Sequence, residues 1–126
     1  PPKSIARAVR DSQLLKAELK ALDDLKITPS GIYHVLHGYS AAAITANLIA
    51  SDSPVAREHI EIYRKRLRYI KAALTGSDLL KMGVPAGPHI KELLSQLQDA
   101  RLDGKVKSRQ GEIEWVLRMI DPTPPA

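Results

Sequence analysis

Arg57, Arg64, Arg68 and Lys71 recur at helical spacing, with Lys65 and Arg66 beside them. On one helix they would form a line of positive charge. Such a line suits the phosphates of a nucleic-acid backbone, each of which, once neutralised, adds a salt-sensitive, sequence-independent share of affinity. The same residues have a plainer account, a solvated helix face in which Glu61 pairs with Arg64 and Lys65. Pairs of that kind contribute about 0.2 to 0.5 kcal/mol each. Composition alone leaves the two accounts level.

Other clusters carry less. Gly83-Val84-Pro85-Ala86-Gly87-Pro88 separates two helical patterns and would leave the first N–H groups of the second helix open to a phosphate, with Lys81, His89 and Lys91 nearby. Its glycines are four apart, whereas the helix-hairpin-helix motif of nucleic-acid binders has them two apart, so punctuation between helices is the better account. His34 and His37 lie about one helical turn apart, but no HExxH pattern, cysteine or adjacent carboxylate completes a metal site, and none is expected. Tyr63, Tyr69 and Trp115 could stack on bases; the helical positions of Tyr63 and Trp115 favour core packing instead. No Walker loop, dinucleotide fingerprint or nucleophile elbow is present, and no acid-base pair is nominated, so no catalytic residue is assigned.

The elements that would position these residues read as helices throughout. Ser4 can cap a helix whose apolar residues Ile5, Val9, Leu15, Leu19 and Leu22 recur at helical spacing, ending near Asp24. Thr28-Pro29 pairs a cap with a first-turn proline and starts a short helix that Gly38 can stop. Ser40 can cap the Ala-rich segment to Ile49, expected to be buried. Ser53-Pro54 repeats the cap-and-proline signal and should open the longest helix, running to about Leu74 with Tyr63, Leu67, Ile70 and Leu74 as its stripe and Gly76 as its stop. Ser77 can cap a short helix, 78 to 82, closed by Gly83. Gly87-Pro88 starts an amphipathic helix through Ile90, Leu93, Leu94, Leu97 and Leu102, ended by Gly104. Ser108 can cap a last helix that finishes at or before Asp121, because Pro122 disfavours helical geometry there; residues 122–126 read as an irregular, proline-rich tail. No strand pattern or internal repeat is present, so the fold class expected is all-α, a single globular array of short helices around one long basic helix.

The 126 residues are enough for one ordinary domain, and one domain over 1–126 is the expectation. A hydrophobic fraction of 44% and a charged fraction of 26% are ordinary for a folded protein. No Phe and a single Trp leave the core to aliphatic side chains, which suits helices. The net charge of +5 and pI near 9.6 favour an anionic partner without identifying it. The absence of cysteine excludes disulfides and thiolate metal sites and is compatible with the cytosol. The longest apolar run, 41–50, is short of the roughly 20 residues a membrane-spanning helix needs, and no membrane association is expected. Pro1-Pro2-Lys3 resembles neither a secretory signal nor an initiation site, so the chain is expected to be a fragment of a longer one.

From Tyr63 the sequence runs Tyr-Arg-Lys-Arg-Leu-Arg-Tyr-Ile-Lys, then Leu74-Thr75-Gly76-Ser77-Asp78-Leu79-Leu80-Lys81-Met82-Gly83, then Gly87-Pro88-His89-Ile90, then Ala100-Arg101-Leu102-Asp103-Gly104-Lys105-Val106. In order and spacing this resembles the C-terminal helical body and tail of bacterial tRNA nucleotidyltransferases, the CCA-adding enzyme and poly(A) polymerase family. There a TGxDLL stretch, a glycine, a PGP turn, an amphipathic helix and LDGxV are followed by a short acidic helix, here Glu112 to Trp115. The sequence departs at the turn, where Ala86 precedes Gly87-Pro88 and the proline stands one place earlier, at Pro85. The match covers about half the chain; up to about Pro54 the agreement is only that both are helical.

The resemblance implies a cytoplasmic, non-catalytic region that grips tRNA and positions its 3′ end, while a separate head of the same polypeptide binds Mg²⁺ with ATP or CTP and adds nucleotides. No metal-binding Asp-x-Asp loop and no Arg-Arg-Asp or Glu-Asp-x-x-Arg segment of that head is found in this sequence, so no cofactor is expected here. The RNA-binding candidates are Arg57, Arg64, Arg68 and Lys71, with Lys81, Lys91, Lys105 and Lys107 as weaker ones. The partners implied are tRNA and the catalytic head, with homo-oligomerisation left open. The competing account is a helical protein-interaction or dimerisation module, motivated by the aliphatic stripes.

Overall fold

Short hydroxyl side chains start helices where the sequence offers them. In the computed structural model, which describes the backbone of residues 3–120 and side chains from residue 5, Thr28, Ser40, Ser53 and Ser108 each accept a hydrogen bond from the backbone N–H three residues on, at 3.0 to 3.1 Å. Each such cap contributes about 1 kcal/mol. Seven α-helices and a 3₁₀ turn result, with no strand among the described residues: α1 (Lys3–Leu22), α2 (Pro29–Leu36), α3 (Ala41–Ala50), α4 (Pro54–Lys65), the turn Leu67–Tyr69, α5 (Gly76–Lys81), α6 (Pro88–Leu102) and α7 (Arg109–Ile120). The all-α class stands. Ser4 falls inside α1 and its side chain, like the tail 121–126 and the end of the last helix, lies outside the described residues.

The contacts divide the chain into two compact units, residues 1–69 and 70–126. In the first, α1 packs against α2, α3 and α4. Leu15, Leu22, Leu36, Ile60 and Leu67 are fully buried there, and burial of a side chain of that size stabilises by about 1.5 to 3 kcal/mol. Polar groups fix the register of the helices. The buried Asn47 amide donates to the Ser12 carbonyl at 3.1 Å and to the Ala43 carbonyl at 2.9 Å, the Asp11 carboxylate accepts from the Ser40 N–H at 3.1 Å, and His59 Nδ1 bonds the Leu22 carbonyl at 2.6 Å. Of the Ala-rich helix only Ala43, Ile44 and Asn47 are buried. Ile49 is exposed, so the segment presents one face to the core and does not sink into it.

The second unit is built on Leu74, Leu79, Val84, Leu93, Leu97 and Val116, with Ile90, Ile113 and Trp115 packed against them. Gly83, at φ +101°, ends α5 in a left-handed residue. The N–H of Val84 then reaches back to the Leu79 carbonyl at 3.0 Å and that of Gly83 to Leu80 at 3.1 Å, the doubly bonded helix end that brings Leu79 and Val84 together in the core.

Three expectations are corrected here. The basic helix stops at Lys65, not Leu74, and the longest helix is α1. No glycine or proline stands between Val55 and Thr75, so nothing local breaks it. Instead, Arg66 leaves helical geometry at φ −134°, ψ −58° and Leu67 turns into the core of the first unit, where it is fully buried. Second, Thr75 and not Ser77 caps α5, in a reciprocal arrangement with Asp78: the Asp78 N–H donates to Thr75 Oγ1 at 3.3 Å and the Thr75 N–H to the Asp78 carboxylate at 2.8 Å. Those hydrogen bonds hold the Asp78 carboxyl below its usual range. Third, Gly76 does not stop a helix; it is the first residue of α5. A Cβ there would sit 3.3 Å from a methyl of Ile90, so the missing side chain lets α5 lie close on α6.

Candidate nucleic-acid interface

On α4, Ser53 and Pro54 set the start and Ala56, Ile60 and Tyr63 form the buried stripe, which leaves Arg57, Glu61, Arg64 and Lys65 toward solvent. Arg57 and Arg64 are seven residues apart, two turns or about 10 Å along the axis. Between them stands Glu61, whose carboxylate takes the Arg64 guanidinium at 2.7 Å and the Lys65 ammonium at 3.1 Å. The Lys65 and Arg64 hydrogen bonds push the Glu61 carboxyl below its ordinary range. It stays charged at neutral pH and offsets part of the basic face. The plainer account of these residues is therefore realised for Arg64 and Lys65. Arg57 is exposed, beside Leu48, Pro54, Glu58 and Glu61 around a shallow depression.

The four-residue basic line does not persist beyond the helix. Arg68 lies on the 3₁₀ turn, exposed, with its guanidinium over the ring of Tyr69, 4.6 Å from the centroid, and in contact with the Tyr69 hydroxyl. Lys71 is exposed but belongs to the second unit. There Lys81 occupies the last turn of α5, Lys91 the first turn of α6, and Lys105 and Lys107 the connection between α6 and α7, all exposed. Arg57 and Arg64 thus share α4 and Arg68 lies on the turn beyond it, while Lys71, Lys81, Lys91, Lys105 and Lys107 belong to the second unit, Lys105 and Lys107 on the same connection.

One residue that organises this unit was passed over in the sequence except as part of a short acidic helix. Glu112 is a fully buried charged residue on α7. Its carboxylate accepts the N–H of Ala73 at 2.9 Å, that of Leu74 at 3.0 Å, and Nε of Arg101 at 2.5 Å. It is a structural clasp on the segment that carries Lys71. The only signal that could have found it is its place on the apolar side of α7, one residue before Ile113 and four before Val116.

The aromatic expectations hold at two positions. Tyr63 is buried in the first core, its ring 5.9 Å from that of Tyr33, and Trp115 packs on the second. His37 stacks on Tyr33 at 4.7 Å. Among the described residues no group of three or more His, Cys, Asp or Glu could hold a metal, and no helix is long and apolar enough to cross a membrane.

No family model matches the chain, and no solved structure matches it. Two curated proteins do. An A-adding tRNA nucleotidyltransferase of Geobacter sulfurreducens is 31% identical over 120 residues, covering 94% of this chain and 14% of that protein. A CCA-adding enzyme of Geobacillus sp. (strain WCH70) is 30% identical over 91 residues, 63% of this chain and 21% of that protein. The chain is thus similar to tRNA nucleotidyltransferases over most of its length, as the motif succession indicated. The first similarity, at 94% coverage, extends well into the part before Pro54 that carried no motif. The chain spans a small share of both relatives.

Proposed function

We propose that this chain is a tRNA-binding, non-catalytic part of a tRNA nucleotidyltransferase, from the C-terminal helical region. In this reading it holds tRNA so that the 3′ end reaches a catalytic head elsewhere in the same polypeptide, and it does so in the cytoplasm. Magnesium with ATP or CTP would belong to that head. The observation that carries the reading is the similarity to an A-adding tRNA nucleotidyltransferase over 94% of the chain. The basic side chains that reach solvent support it: exposed Arg57 and Arg68 and partly exposed Arg64 in the first unit, and exposed Lys71, Lys81, Lys91, Lys105 and Lys107 in the second, would meet phosphates.

The test is titration of the chain with tRNA and with duplex DNA of similar length at low and near-physiological salt. Tighter binding to tRNA, falling log-linearly with salt, is expected. The double variant Arg57→Glu, Arg64→Glu should abolish measurable binding while circular dichroism and melting stay close to those of the parent chain, because both side chains point away from the core. Unchanged affinity would remove α4 from the interface, and binding to neither polynucleotide would remove RNA contact from this chain.

A further inference from the structure

The chain has four tyrosines, one tryptophan and no phenylalanine. Tyr33 and Tyr63 are buried and Trp115 is packed on a core. Tyr69 is different: it is 62% exposed, at the end of the turn that follows α4. Exposed apolar side chains are common and need no explanation when they stand alone. This ring does not stand alone. The Arg68 guanidinium covers it at 4.6 Å from the centroid, and Lys65 and Arg66, both exposed, immediately precede the turn.

We infer that Tyr69, backed by Arg68, is a stacking platform for one unpaired nucleobase of the bound RNA. The inference rests on the tRNA-binding reading above and adds to its phosphate contacts a contact to a base. An aromatic face with a cation beside it attracts any base through stacking and cation–π interaction. The neighbouring exposed Arg66 supplies positive charge for the phosphates that flank the base, while Lys65 is held by Glu61. The ring stands on an exposed turn, and stacking tolerates any sequence because every base has a π-face, so the platform accepts any of the four bases. It selects unpaired over paired nucleotides, since a base within a duplex has both faces already stacked.

The experiment compares two probes at fixed salt: a mixed-sequence single-stranded RNA of about 12 nucleotides and an oligomer of the same length with every base removed. The chain should bind the intact strand about ten-fold more tightly than the abasic one. Tyr69→Ala should erase that preference while leaving affinity for the abasic strand, its salt dependence and the melting temperature unchanged; Tyr69→Phe, which keeps the ring, should retain it. A Tyr69→Ala chain that keeps the full preference overturns the platform. If that variant still loses affinity for tRNA upon Arg57→Glu, Arg64→Glu, the tRNA-binding reading survives the loss. A parent chain that binds neither strand, nor tRNA, overturns both.

Discussion

Glu112 shows what one carboxylate can do when it is placed inside a small helical core. Buried charge is costly unless it is paired and its lone pairs are satisfied, and here two backbone N–H groups and the Arg101 guanidinium satisfy it. The Ala73 and Leu74 N–H groups have the carboxylate as their acceptor, so truncation strands several groups at once. Glu112→Ala is expected to destabilise the chain by about 3 kcal/mol, read as a shifted denaturant midpoint. Glu112→Gln should also destabilise, though less, because its amide presents a donor to one of the donors now served. A midpoint unchanged in both variants would mean that water replaces the clasp without loss.

At the scale of the element, the helix ends divide into those that local chemistry writes and those that it does not. The end of α5 is local: Gly83 takes φ +101°, a conformation in which an L side chain clashes with its own backbone. Gly83→Ala should cost about 1 to 2 kcal/mol, checked by chemical denaturation, with the helical content of the folded state unchanged. A Cβ there meets no neighbour within 4 Å, so the loss would report backbone strain alone. The stretch that follows α4 is the opposite case. In a continuous helix the Leu74 N–H would bond the Ile70 carbonyl; here that carbonyl accepts from Gln98 at 3.2 Å and the N–H goes to Glu112. Partners 28 and 38 residues away stand in for the helical bonds.

For the whole molecule, the length leads to the proposal of one cooperative domain, while each of the two units has a core of its own. Differential scanning calorimetry should give one peak whose calorimetric and van't Hoff enthalpies agree; two resolved peaks would make the units separate domains. Sequence by itself determined the helical class, four of the caps, the glycine closing α5 and the likeness to tRNA nucleotidyltransferases. Each of these depends on residue type within a few positions or on an ordered run of motifs. It also determined which side chains are basic. Only the tertiary structure decided that the basic helix ends at Lys65, that Lys71 belongs with the second core, that Glu112 is buried and that Tyr69 is not. The physical reason is shared. A helix without a breaker continues or stops according to whether distant groups offer its N–H and C=O better partners, and those partners become neighbours only when the chain has folded.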